Sequence, residues 1–283
     1  MNYKYINATG KLSYNMTNDY MFRMVLQRDK ETLINLICSL LHLKREQIKN
    51  VYIDNPVEPG KSMREKEYQM DIVVMLNNSV IINLEMQVLN YGNWPVRSLS
   101  YLSRKFNNVL RGKDYNTVMP VYHIGFLDFT LFEDHPEFFA RYQVRNAKDN
   151  YLYTDKFNLY VIELNHTELA TDEDKSYHTD TWARLFKAKT WEEIKMITKD
   201  NPSMNSTAEA IYVSNADEYI REECWLREEC IAHEEYQKKQ FEKLTKENAS
   251  LTDKNASLTN ENASLTNENA RLKELLEKNN IKF

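Results

Sequence analysis

The chain has 283 residues, 42% of them hydrophobic, and a net charge of −5. That length and content can bury one sizeable domain with an extension to spare, while no apolar run reaches the span of a membrane helix. Five glycines, with neither a GxGxxG nor a P-loop pattern, exclude a glycine-rich phosphate cradle.

In chain order, the first signal is helical. Phe22, Val25, Leu26, Leu33, Leu36, Ile37, Leu40 and Leu41 recur near the helical period and predict an amphipathic helix over residues 19–43. Asp19, directly after Thr17-Asn18, reads as an N-cap or first-turn acid, the position where a carboxylate favours a helix N-terminus. A strand is expected over 48–53, ended by Pro56 and Pro59. Residues 68–76 and 80–88 then read as a hairpin around the polar run Asn77-Asn78-Ser79. Asn90-Tyr91-Gly92-Asn93-Trp94-Pro95 makes a loop, and a helix follows over 96–110 with Leu99, Leu102, Phe106 and Val109 as its apolar stripe. Strands return at 118–126 and 157–164, and helices at 182–187, 191–198 and from 208 onward. This order predicts an α/β fold with the hairpin at its centre. His123, on an apolar strand, reads as a packed core histidine.

The hairpin carries the chemistry. If Asn77-Asn78-Ser79 is the loop, Val73 faces Asn83, Asp71 faces Glu85 and Gln69 faces Gln87. Alternation puts Asn83, Glu85 and Gln87 on one face. Ile81, Ile82, Leu84, Met86 and Val88 surround Glu85, so its strand is expected to be buried on both sides. Two facing carboxylates in such a place repel unless a cation or a shared proton neutralises them, and a divalent metal answers that need. Shifting the register by one residue would dissolve the pair. On the following helix, Arg97, Tyr101, Arg104, Asn108 and Arg111 share one face. Such a stripe is either the solvated side of a surface helix or a grip for successive phosphates.

The end of the chain is a different object. From Leu244 a seven-residue unit recurs: Leu-Thr-Lys-Glu-Asn-Ala-Ser, Leu-Thr-Asp-Lys-Asn-Ala-Ser, Leu-Thr-Asn-Glu-Asn-Ala-Ser, and a fourth copy ending in Arg271. With Leu244, Leu251, Leu258, Leu265 and Leu272 at heptad position d, Asn248, Asn255, Asn262 and Asn269 fall at a. The pattern predicts a parallel, left-handed coiled coil joining two copies, with the buried asparagines setting register at a cost in stability. A polar helix without a partner is the other reading. Residues 205–283 carry 16 acidic and 11 basic side chains, so the whole excess of negative charge lies there and the first 204 residues balance at 26 against 26. An overall neutral body with a local basic stripe is compatible with DNA, because partner choice follows the local field. Cys38, Cys224 and Cys230 show no metal-ligand spacing and read as thiols of a reducing compartment. With no apolar signal core at Met1-Asn2-Tyr3-Lys4-Tyr5, a cytoplasmic location is expected.

Thr17-Asn18-Asp19-Tyr20-Met21-Phe22, Met70-Asp71-Ile72, Ile82-Asn83-Leu84-Glu85-Met86-Gln87 and Arg97-Ser98-Leu99-Ser100-Tyr101-Leu102-Ser103-Arg104 occur in that order. Together they resemble the Rpn family of recombination-promoting nucleases, the PD-(D/E)XK nuclease family transposases, over roughly the first 230 residues. The resemblance implies a restriction-endonuclease-like PD-(D/E)XK core, here expected over 1–204, with a helical linker at 205–243 and the heptad tail at 244–283. It implies a metal-dependent DNA endonuclease tied to recombination or mobile elements. Asp71 and Glu85 would hold Mg2+, with Mn2+ or Ca2+ as substitutes, and the Met86 carbonyl could add a ligand. Gln87, where the wider superfamily has lysine, would orient water or a phosphate oxygen but cannot carry positive charge. Asn83 would support Glu85, Asp19 gains an active-site role as its alternative reading, and Arg97, Tyr101 and Arg104 would hold the DNA backbone. The competing expectation is a non-catalytic, oligomeric DNA-binding or interaction protein with a degenerate nuclease fold; RNA as substrate is a third.

Overall fold

The computed structural model describes residues 3–55, 72–107 and 114–279. The chain divides into two units, residues 1–229 and 230–283. The first is built on a six-stranded mixed sheet in the order β1-β2-β3-β4-β6-β5. Its strands are β1 (Val51–Ile53), β2 (Ile72–Leu76), β3 (Val80–Gln87), β4 (Val121–Leu127), β5 (Phe139–Gln143) and β6 (Phe157–Glu163). β3, β4 and β6 run parallel, and the remaining pairs are antiparallel. A parallel pair needs a crossover, and α3 (Trp94–Phe106) lies in the connection between β3 and β4.

The β2–β3 register is the expected one where it is described: Val73 faces Asn83 and Leu76 faces Val80. Asn77 and Asn78 both adopt positive φ, at 52° and 54°, a left-handed geometry that asparagine tolerates because its short side chain bonds locally. Asn77 does so through its Oδ1, which accepts the backbone N–H groups of Lys49 and Asn50 at 2.8 and 3.0 Å. The Asp71 and Gln69 end of the ladder lies outside the described residues, as do Asn108 and Arg111.

Three expectations need correction. Residues 19–43 form two helices, α1 (Asp19–Arg28) and α2 (Lys30–Leu41). Asp29 breaks them apart, because its side chain accepts the N–H groups of Glu31 and Thr32 and so caps α2. α3 begins earlier than expected, at Trp94, with Pro95 in its first turn, where a missing N–H costs nothing. Its Leu99 is 48% exposed while Leu102 is fully buried, so the apolar stripe is narrower than the periodicity suggested. Finally, β5 went unpredicted. Its sequence Phe-Ala-Arg-Tyr-Gln alternates imperfectly, as suits a short edge strand.

Apolar packing occupies both sides of the sheet. On one, Val74, Ile82, Leu84, Met86, Ile124, Phe126 and Ile162 pack with Phe22, Leu36 and Phe186, which come from α1, α2 and α5 (Thr179–Lys187). On the other, Val73, Ile81, Leu102, Val121 and Leu159 form one cluster and Trp94, Leu127, Ala140 and Val161 another. Trp94 and Leu102 belong to α3, so this helix covers the face that also carries Asn83 and Glu85. After α4 (Asp172–Ser176), α5 and α6 (Trp191–Asp200), the helix α7 (Asn205–Ala216) buries Thr207, Ala208, Ala210 and Ile211. α8 (Glu218–Lys278) buries Ile220, Glu223 and Cys224 in its first turns.

The second unit is the remainder of α8. Leu244, Leu251, Leu258, Leu265 and Leu272 recur along it at 50–57% exposure. Thr245, Thr252, Thr259 and Thr266 each donate to the carbonyl four residues earlier at 2.7–2.8 Å, so these hydroxyls are satisfied within the helix. Among the described residues, no helix is long and apolar enough to cross a membrane.

Gly125 faces Glu85 across the β3–β4 ladder. A Cβ there would overlap Trp94 Cζ2 and approach its Cη2 to 2.6 Å, so the missing side chain is what lets α3 close on the sheet. Gly125→Ala is expected to destabilise the protein by about 1–3 kcal/mol, the usual cost of overpacking. Urea denaturation checks this; unchanged stability would show that the indole is free to move.

Candidate active site

Glu85 lies in the middle of a strand whose neighbours are apolar, and it is 4% exposed. A carboxylate in such a setting needs a counter-charge, and α3 supplies one. Arg97 donates to Glu85 Oε1 from Nε at 2.9 Å and approaches it from a terminal guanidinium nitrogen at 2.8 Å. The Pro95-containing first turn starts the helix so that Arg97 falls over β3, its own N–H bonded to Asn93 O at 3.0 Å. The guanidinium also lies 5.2 Å from the Tyr101 ring centre, a cation–π distance.

On the other side stands His123 of β4. Its Nε2 is 3.6 Å from Glu85 Oε2, and its Nδ1 is 2.9 Å from the Asn83 amide nitrogen. Asn83 and His123 are register partners on adjacent parallel strands, and both are fully buried. Tyr101 lies nearly parallel to the imidazole, with ring centres 6.0 Å apart at 13°, and Trp94 sits 5.8 Å away. Burial pushes the His123 pKa down to about 3, and the nearby Arg97 cation adds to the effect. The ring is therefore neutral at ordinary pH, and its contact with Glu85 is that of a dipole with a carboxylate. Among the described residues, the guanidinium of Arg97 is the cation paired with Glu85.

The structure thus brings together Glu85, Asn83, Arg97 and Tyr101, and adds His123 and Trp94. Asn83 reaches Glu85 through His123. Gln87, half-buried at the end of β3, donates its amide N–H to Leu89 O at 2.9 Å. Arg104 is exposed two turns beyond Arg97 on α3. Asp71 lies outside the described residues. Asp19 is elsewhere in the contact network: it is 2% exposed, and Arg227 Nε of α8 donates to its two oxygens at 2.9 and 2.7 Å. Burial raises the Asp19 pKa, opposed by Arg227. Asn18 is the N-cap, accepting from Met21 N at 3.1 Å, and Asp19 is the first-turn acid.

His123 and Trp94 escaped sequence reasoning as site residues. An isolated histidine in an apolar strand gives no hint of its neighbours until the parallel register of β3 and β4 is known. The signal that could have found them is Gly125, a glycine within a buried strand, which often marks a close approach of another group.

The donor set suits a hard cation in part. Glu85 offers a carboxylate on a rigid strand, and oxygen is the ligand such ions take. Among the described residues, no three His, Cys, Asp or Glu side chains group so as to hold a metal ion, and Asp71, the expected second carboxylate, lies outside them.

A mixed α/β sheet presenting a buried glutamate on its central parallel strand, beneath an arginine-bearing helix, defines a nuclease-like frame. The chain belongs to the PD-(D/E)XK nuclease family transposases, whose family model matches residues 16–242. Members of the PD-(D/E)XK nucleases typically use divalent metals, and the family implies DNA as substrate. No curated protein and no solved structure matches the chain.

Proposed function

We propose that this protein is a Mg2+-dependent DNA endonuclease acting in recombination or mobile-element movement in the cytoplasm. The single observation that carries the reading is the buried Glu85 carboxylate, held on β3 within reach of α3 in a chain of this family. Asp71 and Glu85 would hold the cation, with Mn2+ or Ca2+ as substitutes. When bound, a divalent ion would polarise the scissile phosphate and lower the pKa of a water. The protein's own groups do the rest. Arg97, half-exposed and paired with Glu85, would also meet a phosphate. Gln87 orients water or a phosphate oxygen through its amide. Tyr101 and Arg104 extend the grip along the backbone, which positions DNA without reading its sequence.

A second reading, a non-catalytic oligomeric DNA-binding protein, draws support from the same Arg97–Glu85 pair, because a carboxylate already satisfied by arginine can be purely structural. Cleavage separates the two. Purified protein is expected to nick supercoiled plasmid with Mg2+ or Mn2+, and to lose the activity with chelator. Asp71→Ala and Glu85→Ala should each lower it about a hundredfold or more, beyond the loss seen for groups that only orient ligands. Wild-type protein inert with Mg2+, Mn2+ and Ca2+ alike would establish the second reading.

The heptad tail, residues 244–283, would join two copies in parallel, so that each leucine covers its counterpart and each asparagine meets its twin. Two nuclease bodies so tethered could cut both strands. Deleting the tail from Leu244 onward should turn a dimer into a monomer by light scattering. A truncated protein that stays dimeric would refute its role as the dimeriser.

A further inference from the structure

Between Glu85 and the Asn83 amide stands a fully buried imidazole that the proposed chemistry does not use. Asn83 Nδ2 can only donate, so at 2.9 Å the His123 Nδ1 must accept. An imidazole whose Nδ1 accepts is neutral and carries its proton on Nε2. That Nε2 has no hydrogen-bond partner among the described residues. It lies 3.6 Å from Glu85 Oε2, a gap that a shift of about half an ångström turns into a hydrogen bond.

We infer that His123 is a positioning residue for Glu85, its Nε2–H aimed at the carboxylate Oε2 by the amide of Asn83. The inference rests on the nuclease reading for its functional meaning, though its geometry stands apart from it.

The surroundings fix the ring rather than merely accommodate it. Strand register sets Asn83 beside His123 and Glu85 beside Gly125, so all three polar groups rise from one face of the sheet. Tyr101 lies nearly parallel to the imidazole, and the space left by Gly125 admits the Trp94 indole next to it. A ring confined in this way has little freedom to turn its Nε2 elsewhere. The neutral donor also does something Arg97 cannot. Arg97 brings a full positive charge to Oε1, whereas an N–H dipole at Oε2 orients the carboxylate and leaves its charge available to a cation. A lysine at position 123 would consume that charge, and an apolar residue would remove the donor aimed at Oε2. Groups that orient a ligand from behind are tuned in this manner in metal sites generally.

Long-range proton–nitrogen correlation spectra of the full-length protein read the tautomer. At neutral pH His123 is expected to be protonated on Nε2, and Asn83→Leu is expected to weaken that preference. A wild-type ring protonated on Nδ1 overturns the inference, and this arm needs no variant to fold. The second arm is Mn2+ binding by calorimetry. His123→Leu fills the space without a donor and should weaken Mn2+ binding about tenfold, whereas His123→Gln retains an N–H and should lose about twofold at most. Equal affinities in the two variants, at equal melting temperature, overturn the inference. If the tautomer and the order of affinities hold while wild-type protein cleaves no DNA, the inference stands and the nuclease reading alone falls.

Discussion

A carboxylate on the central strand of a buried sheet is the constraint around which this molecule is arranged. Glu85 cannot sit among Leu84, Met86 and their apolar neighbours uncompensated, because an isolated buried charge is far costlier than the interactions that stabilise a fold. Among the described residues the cation paired with it comes from α3, so the helix must follow β3 after a short loop and close tightly on the sheet. Pro95 in its first turn, the absent side chain at Gly125 and the indole of Trp94 all serve that closure. The same demand explains why the exposed stripe of α3 is not uniform: Arg97 is drawn inward to Oε1, while Arg104 stays with solvent.

This arrangement links the architecture to the function the family carries. A buried pair of opposite charges is a poor source of stability, since well-packed apolar groups usually do as well or better. Its retention at the heart of a sheet therefore asks for a reason. On the proposed nuclease reading, the reason would be that Glu85 is an anionic oxygen donor on a rigid strand, with Arg97 holding it in readiness. By contrast, the pair formed by Asp19 and Arg227 fastens the first turns of α8 to α1, and it shows how another buried acid in this chain works structurally. The two acids look alike in sequence, and they differ in what surrounds them.

Much of the fold was legible in the sequence because local periodicity reports burial. The hairpin register followed from the three polar loop residues and the apolar runs on either side, and the strands β4 and β6 followed from runs of Val, Ile, Tyr and Phe. Periodicity does not report capping, so the break at Asp29 was missed: a helix stripe continues smoothly across an N-cap whose effect depends on side-chain hydrogen bonds. β5 was missed because an edge strand buries only some of its residues. At the site, Glu85, Asn83, Arg97 and Tyr101 were legible as members of one face or one helix side. His123 and Trp94 were not, because their place depends on β4 pairing parallel to β3, a long-range choice that no window of sequence contains. The orientation of Arg97 toward Glu85 was likewise hidden, since a helix face shows where a side chain can reach but not which charge will claim it.

The nuclease reading depends most directly on Glu85 serving as a cation ligand. Crystals of the full chain soaked in Mn2+ and measured at the manganese absorption edge address this directly. An anomalous peak is expected in inner-sphere contact with the Glu85 carboxylate, with Asp71 drawn to the same ion. Manganese bound only elsewhere, with the Arg97–Glu85 pair intact at concentrations that support cleavage, would contradict it.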